Sequence, residues 1–163
     1  MILCDTLVSR TMLAAAHQRD GIDERGCRYV LEFLSTAAAI RTALHRELAD
    51  LDLTELGLGV LVVLYALDPT PSTPADLAAH TGAARSAMTE VIDRLQAREF
   101  IRRQRDTTDR RLIYIHLTKA GCAAAETALR RFLETAGRLA RHVESQAGET
   151  LLAACAQLRE GCT

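Results

Sequence analysis

The stretch RRQRDTTDRRLIYIHLTKAG, residues 102–121, holds six arginine and lysine residues and ends in a strand pattern. His116 adds a seventh positive charge when it is protonated. Residues 112–117 alternate between two faces, and residues 100–105 also have the composition of a strand. The loop between them, residues 106–111, has no apolar side chain. These features predict a β-hairpin with a basic tip, which is suited to binding a polyanion.

Two short helices are predicted immediately before this hairpin. Thr73 and Asp76 form the pattern of a capping box, and Gly82 suits a left-handed turn at the end of the first helix. A second helix, residues 85–98, follows this turn closely. Two helices joined in this way are typical of a helix-turn-helix, and the hairpin, residues 100–117, completes a winged helix.

The second helix has two distinct faces. Plotted at about 100° per residue, its large apolar side chains fall on one side: Met88, Val91, Ile92 and Leu95. Short polar side chains lie opposite, near the N-terminal end, where a helix in the major groove meets base edges. The candidates for contacts with bases are Arg85, Ser86, Thr89 and Glu90, with Arg94 on the flank. For this helix alone, an ordinary amphipathic surface helix is the alternative.

The charge of the chain is unevenly distributed. The formal net charge is only −1, but residues 81–119 carry 9 basic against 5 acidic side chains, whereas residues 1–80 carry 6 against 11. A basic block in an almost neutral protein is typical of a nucleic-acid-binding surface. A solvated basic face is the alternative that charge alone leaves open.

Length and composition favour one helical domain in the cytoplasm. With 163 residues, 48% of them hydrophobic, the chain can bury a core. The longest apolar run, residues 56–67, is shorter than the roughly 18–20 residues of a membrane span. The cysteines are odd in number and form no CxxC pair, which predicts free thiols in a reducing compartment. They are Cys4, Cys27, Cys122, Cys155 and Cys162.

Long helices are predicted on both sides of the winged helix. Apolar residues recur at helical spacing over residues 27–51, and a second long helix runs from residue 118 to about residue 147. Gly148 is expected to interrupt it before a last helix. Residues 1–26 add a helical N-terminal extension. The predicted fold class is therefore mainly α with a small β-hairpin wing.

Three segments carry a resemblance to a known family. They are LDLTELGLGVLVVL (51–64), TPADLAAHTGAARSAMTEVIDRLQAREFI (73–101) and the stretch 102–121. Over roughly residues 27–160 the chain resembles the MarR family of bacterial winged-helix regulators. The most specific match is an Asp-Arg-Arg wing tip followed by a strand that ends in Leu-Thr-x-x-Gly. Asp109, Arg110, Arg111, Leu117, Thr118 and Gly121 supply it here.

The resemblance implies a division of the chain and a homodimer. Residues 27–163 form a single MarR-like domain after the extension, residues 1–26. Within that domain, residues 52–119 are the winged helix-turn-helix, and residues 27–51 and 120–163 are the dimerisation helices. Two copies then bind a pseudo-palindromic operator in double-stranded DNA.

Two residues depart from the family pattern. Ala84 stands where the family usually has a serine or threonine cap, so we expect the recognition helix to rely on Thr81 or water for its start. Glu99 stands where a glycine often ends that helix. Because glutamate tolerates a positive φ less well than glycine, we expect a differently built corner.

The predicted function is sequence-specific regulation of transcription, as a repressor released by a small-molecule effector. The recognition helix supplies the base contacts, and Arg110 and Arg111 supply the wing. By resemblance, Arg111 enters the minor groove, where negative potential attracts arginine. Asp109 supports the wing by orienting an arginine. The arginines of the first strand contact phosphates or remain solvated: Arg102, Arg103 and Arg105.

The resemblance also implies an effector, a small aromatic anion or a phenol. Four residues are candidates for lining its pocket, although a packing or surface role is favoured for each: His17, Tyr29, His45 and Tyr65. Cys27 is the candidate for an alternative, thiol-based redox sensor, because Arg25 and Arg28 can lower the pKa of a nearby thiol. An inert thiol is the favoured reading.

Other classes of function are less well supported. No cofactor is implied, and the histidines and cysteines lack the spacing of metal ligands. An enzyme is not expected, because the sequence has no Gly-rich phosphate loop and no nucleophile elbow. A winged helix used only for protein contacts remains an alternative, against which the basic wing argues.

Overall fold

The computed structural model describes residues 6–109 and 111–162 of the chain. The helices are α1 (Leu7–His17), α2 (Glu24–Arg46), α3 (Glu55–Leu67), α4 (Pro74–Thr81), α5 (Arg85–Ala97), α6 (Lys119–Ala140) and α7 (Ser145–Glu160), and the strands are β1 (Ile101–Arg105) and β2 (Ile113–Leu117). The predicted fold class, mainly α with a β-hairpin wing, is confirmed. Among the described residues, no helix is both long and apolar enough to cross a membrane.

The chain divides into two compact units, one up to Arg46 and one from Glu47 onward. The first unit consists of α1 and α2, which contact each other. His17 at the end of α1 lies 2.9 Å from the carboxylate of Glu24 at the start of α2. Helix α1 lies within the segment predicted as a helical extension, and the division of the chain into domains stays a prediction.

The core of the second unit is built around α3. Val60 and Leu61 are completely buried, as the long apolar run predicted. The apolar face of α5 packs into the same core through Met88, Ile92 and Leu95. Each such side chain contributes about 1.5–3 kcal/mol through burial. The winged helix is therefore held by a continuous core that reaches from α3 to the recognition helix α5.

Helix α4 begins and ends with the predicted chemistry. The hydroxyl of Thr73 accepts from the Asp76 amide at 3.2 Å, and the Asp76 carboxylate accepts from the Thr73 amide at 3.0 Å. Gly82 ends α4 with φ 67°. At the start of α5 the prediction for Thr81 is wrong, because the Thr81 hydroxyl donates to the carbonyl of Leu77 instead. Helix α5 begins at Ala84 without a side-chain cap.

The corner after α5 is built in the usual way despite its glutamate. Glu99 adopts φ 58°, the Glu99 amide donates to the Gln96 carbonyl, and the Phe100 amide donates to the Leu95 carbonyl. This is the Schellman pattern that normally has glycine at its left-handed position. The prediction of a differently built corner is therefore wrong. These two hydrogen bonds and the burial of Leu95 hold Glu99 in the left-handed conformation, which glutamate tolerates less well than glycine.

The hairpin pairs β1 and β2 in antiparallel register, from Ile101 opposite Leu117 to Arg105 opposite Ile113. Ser72 extends the pairing on the other side of β2 through two hydrogen bonds with Ile115, of 2.8 and 3.3 Å. β2 is therefore the central element of this small sheet. Its middle residue is completely buried, which fastens the wing to the core.

The Leu-Thr-x-x-Gly ending of β2 has a direct structural reason. The Thr118 amide donates to the Phe100 carbonyl at 3.0 Å, and the Thr118 hydroxyl accepts from the Gly121 amide at 3.0 Å as the cap of α6. A Cβ on Gly121 would lie 1.9 Å from the Phe100 carbonyl oxygen. Helix α6 can approach the corner this closely only with glycine at that position.

The C-terminal helices are divided at a different place from the one predicted. Helix α6 ends at Ala140, and α7 begins at Ser145, so Gly148 lies inside α7. The Gly148 amide donates to the Glu144 carbonyl at 2.8 Å. Glycine costs a helix about 1 kcal/mol relative to alanine but does not by itself end one.

We expect Gly121→Ala to lower the free energy of unfolding by about 2–3 kcal/mol, because the new methyl group would overlap a backbone carbonyl. Gly137→Ala, in the same helix and with no neighbouring atom within 4 Å, should raise it by up to about 1 kcal/mol. Chemical denaturation of both variants measures these changes. Equal stability of the two variants would contradict the close approach of α6 to Phe100.

Candidate DNA-binding surface

The predicted base-contacting residues of α5 all lie on its exposed face. They are Arg85, Ser86, Thr89, Glu90 and Arg94. The opposite face is buried through Met88, Ile92 and Leu95. The helix thus presents a polar, exposed face, and the contacts of these residues with DNA stay a prediction.

Both acidic residues of α5 are paired with arginine. The Glu90 carboxylate lies 2.5 Å from the Arg94 guanidinium, one turn further along the helix. The Asp93 carboxylate lies 2.6 Å from the guanidinium of Arg103, which belongs to β1. These two pairs reduce the repulsion that unpaired carboxylates would exert on a phosphate backbone.

The tip of the wing is shaped by two aspartates. The Asp106 carboxylate accepts from the amides of Thr108 and Asp109, at 2.7 Å each. The Asp109 carboxylate accepts from the Arg111 amide at 2.9 Å. The predicted support from Asp109 therefore acts on the backbone of Arg111 in this structure, and Arg110 lies outside the described residues.

Asp106 is a functional candidate that the sequence reasoning missed. The amide of Asp109, followed by that of Thr108, lowers the pKa of the Asp106 carboxyl. The Asp106 amide also donates to the Leu112 carbonyl at 3.1 Å, which closes the loop at its base. The signal was present, because an aspartate that opens a polar loop is typical of a turn closed by its own side chain.

The arginines of β1 have different surroundings. Arg102 donates to the side chain of Gln104 at 2.9 Å, whereas Arg103 points to α5. Arg105 and Arg111 are exposed, and within the described residues neither forms an ion pair. Arg105 and Arg111 are therefore the cations of the hairpin most available to a phosphate or a groove.

His116 does not supply a seventh positive charge near neutral pH. Burial lowers the pKa of His116, and the guanidinium of Arg102, directly opposite on β1, lowers it further. Because the ordinary value is already about 6.5, the imidazole is neutral at pH 7. The sequence could not reveal this, because the burial of the ring and its position opposite Arg102 both depend on the fold.

The candidate redox residue Cys27 is exposed on α2. It lines an open apolar groove of about 550 Å³ together with Met12, Ile22 and Val30. The two arginines expected near the thiol are engaged elsewhere: Arg25 donates to the Tyr29 hydroxyl, and Arg28 lies 3.3 Å from Glu24. A redox role for Cys27 stays a prediction.

The effector candidates have different surroundings, and their role in binding an effector stays a prediction. Tyr29 and Tyr65 are largely exposed, and the ring of His17 is bonded to Glu24. His45 lies in the last turn of α2. Over the described part of the chain, no group of three histidine, cysteine or acidic side chains could hold a metal ion.

Residues 53–113, from just before α3 to the first residue of β2, match the model of the MarR family. This segment belongs to the MarR family. It contains the helix-turn-helix, β1 and the wing tip, so the resemblance seen in the sequence is confirmed. No curated protein matches the chain.

Solved structures share the winged-helix fold over most of the chain. A complex of MepR from Staphylococcus aureus with DNA is 21% identical and covers 82% of this chain and 97% of its own, with a TM-score of 0.71. YusO from Bacillus subtilis is 21% identical and covers 86% and 99%, with a TM-score of 0.64. A probable transcriptional regulator from Pseudomonas aeruginosa is 26% identical and covers 75% and 95%, with a TM-score of 0.59.

We expect His116 to titrate below its ordinary pKa of about 6.5, because burial and Arg102 both disfavour the imidazolium. The contribution of His116 to the free energy of unfolding should therefore be complete above that pH. It should fall as the pH drops from there towards the pKa of His116 in the folded protein, since the unfolded chain takes up the proton first. A pH titration of the His116 ring by NMR measures this. Arg102→Gln should raise the pKa only partly, and a parent value at or above 6.5 would contradict the burial of the ring.

Proposed function

We propose that the protein is a sequence-specific, double-stranded DNA-binding transcriptional regulator that represses by occupying a pseudo-palindromic operator. The observation that carries this proposal is the basic wing. Two aspartates order its tip, and it belongs to the same compact unit as a recognition helix with an exposed polar face. A rigid basic loop beside an exposed helix can contact two adjacent grooves of a duplex.

The relatives support this proposal. The segment that belongs to the MarR family includes both α5 and the wing tip. MepR, which has the same fold, is described as a transcription regulator of a multidrug efflux pump and has been solved in complex with DNA. Binding of DNA by this chain, and repression in particular, are inferred from the likeness together with the arrangement of charge.

The two DNA-contacting elements have different tasks in this proposal. Arg85 pairs with guanine through its guanidinium, and Ser86 and Thr89 reach bases or phosphates through their hydroxyls. Arg111 enters the minor groove beside the major groove that α5 occupies. The cations of the wing also release counterions from the backbone, so affinity should fall steeply between about 50 and 200 mM salt.

A homodimer completes the proposed function. Large apolar side chains are exposed on helices of both units, where water would otherwise cover them. They include Val30, Leu34 and Ile40 on α2, Leu133 on α6, and Leu151 and Leu152 on α7. A second copy of the chain that covers residues 27–51 and 120–160 gives the twofold symmetry of a palindromic site.

Release from the operator is the proposed regulatory step. By resemblance to the family, the effector is a small aromatic anion or a phenol. An effector can weaken operator binding only by binding the DNA-free conformation more tightly than the DNA-bound one.

Arg111→Ala should weaken operator binding by about 1–3 kcal/mol, the scale of one good groove contact. The melting temperature should hardly change, because this exposed loop side chain contributes little to stability. Fluorescence anisotropy on a duplex selected from random sequences measures the affinity. Arg10→Ala on α1 removes the same charge outside the proposed dimer and DNA surfaces and should have little effect.

This test requires that the parent protein bind a selected duplex. Failure of the parent protein to bind any duplex would contradict the proposed function. If the parent binds but Arg111→Ala binds equally well, the wing does not contact DNA. The alternative of a winged helix used only for protein contacts then gains support.

We expect the protein to sediment as a dimer at micromolar concentration. Leu152→Glu, which places a charge on an exposed apolar position of α7, should shift the equilibrium towards the monomer because a buried charge needs a partner. Analytical ultracentrifugation measures both species. A folded parent protein that remains monomeric at these concentrations would exclude the proposed symmetry.

A further inference from the structure

We propose that the ion pair between Asp93 and Arg103 is a positioning contact for DNA recognition. It sets the separation between the recognition helix α5 and the wing, so that both can enter their grooves together. The inference rests on the proposed DNA-binding function and assigns Arg103 a role different from the phosphate contact that the sequence suggested.

The pair adds a polar link between two elements that adjoin at residues 98–100 and pack into the same core through Ile92, Leu95 and Ile101. The Arg103 Nη2 atom lies 2.6 Å from the Asp93 Oδ1 atom. Asp93 lies in the second half of α5, and Arg103 is the middle residue of β1. Among the ion pairs of the described residues, this one alone connects α5 with the hairpin.

The direction of the Arg103 side chain follows from the strand register. Arg103 lies opposite Ile115, which is completely buried, and two residues after Ile101, which is also buried. Alternation along a strand places these side chains on one face. Arg103 therefore runs across the core side of the sheet towards α5, and only 33% of its side chain is exposed.

A rotation at the corner between α5 and β1 would move the wing tip relative to the recognition helix. Only residues 98–100 separate the two elements, and the corner turns at Glu99 with φ 58°. Five residues of β1 span about 17 Å, so a rotation of about 10° at the corner would move the wing tip by about 3 Å. A displacement of that size is as long as a hydrogen bond. The Asp93–Arg103 pair holds the middle residue of β1 and opposes such a rotation.

The positioning role and the phosphate role predict opposite effects of Asp93→Ala. If Arg103 contacts phosphate, removal of the competing carboxylate frees a cation and strengthens binding to every duplex. If the pair positions the wing, the same substitution weakens binding to the selected operator while binding to random duplex is unchanged or stronger. The sign of the change in operator affinity therefore separates the two roles.

The experiment compares the full-length parent with Asp93→Ala, Arg103→Ala and the exchange Asp93→Arg with Arg103→Asp. Each protein is titrated with the selected operator and with a random duplex at one salt concentration. We expect each single substitution to weaken operator binding about tenfold and the exchange to recover at least half of that loss on a logarithmic scale. Asp20→Ala, which removes an exposed carboxylate between α1 and α2, outside the proposed dimer and DNA surfaces, is the control for net charge.

Stronger binding of Asp93→Ala to both duplexes would overturn the proposal and restore Arg103 as a phosphate contact. Unchanged operator affinity in both single variants would overturn it as well. Melting temperatures identify a variant that fails to fold. If a single variant fails to fold, the exchange variant tests the proposal instead, because it restores the ion pair and must recover operator binding. If the parent binds no duplex, the proposed function fails first and this inference with it.

Discussion

The arrangement of the winged helix depends on the contacts of one backbone group, the carbonyl of Phe100. It accepts a hydrogen bond from the Thr118 amide at 3.0 Å, while the Thr118 hydroxyl donates to the neighbouring Glu99 carbonyl at 2.7 Å. The Phe100 carbonyl also lies so close to the Cα of Gly121 that no side chain fits there. The end of α5, both strands of the wing and the start of α6 therefore meet at one backbone group. Because these four elements adjoin one group, its contacts fix where the wing and α6 begin relative to the end of α5.

Pairing of its acidic side chains allows a chain of almost neutral charge to present a basic surface. The exposed face of α5 carries two carboxylates, and each is paired with an arginine, which leaves the free cations at Arg85 and along the wing. The loop of the wing is held by Asp106, whose carboxylate accepts from the amides of Asp109 and Thr108, and these bonds lower its pKa. Acidic side chains thus serve a basic surface by ordering it.

Periodicity and turn chemistry predicted most of the fold, including the capping box at Thr73 and the strand alternation of the wing. They failed where a tertiary contact overrides a local preference. Glu99 takes a left-handed conformation because the Schellman hydrogen bonds and the Phe100 contact hold it there, and Gly148 remains helical because nothing opposes it. At the candidate site, exposure of the α5 face followed from its sequence pattern, whereas the Asp93–Arg103 pair and the neutral His116 depend on strand register.

The central claim is that α5 and the wing together form the surface that binds duplex DNA. Hydrogen–deuterium exchange of the protein, with and without a duplex selected from random sequences, tests this claim most directly. We expect slower exchange on binding in residues 85–97 and 106–112. Protection confined to α2 and α7, with α5 and the wing unchanged, would contradict the claim.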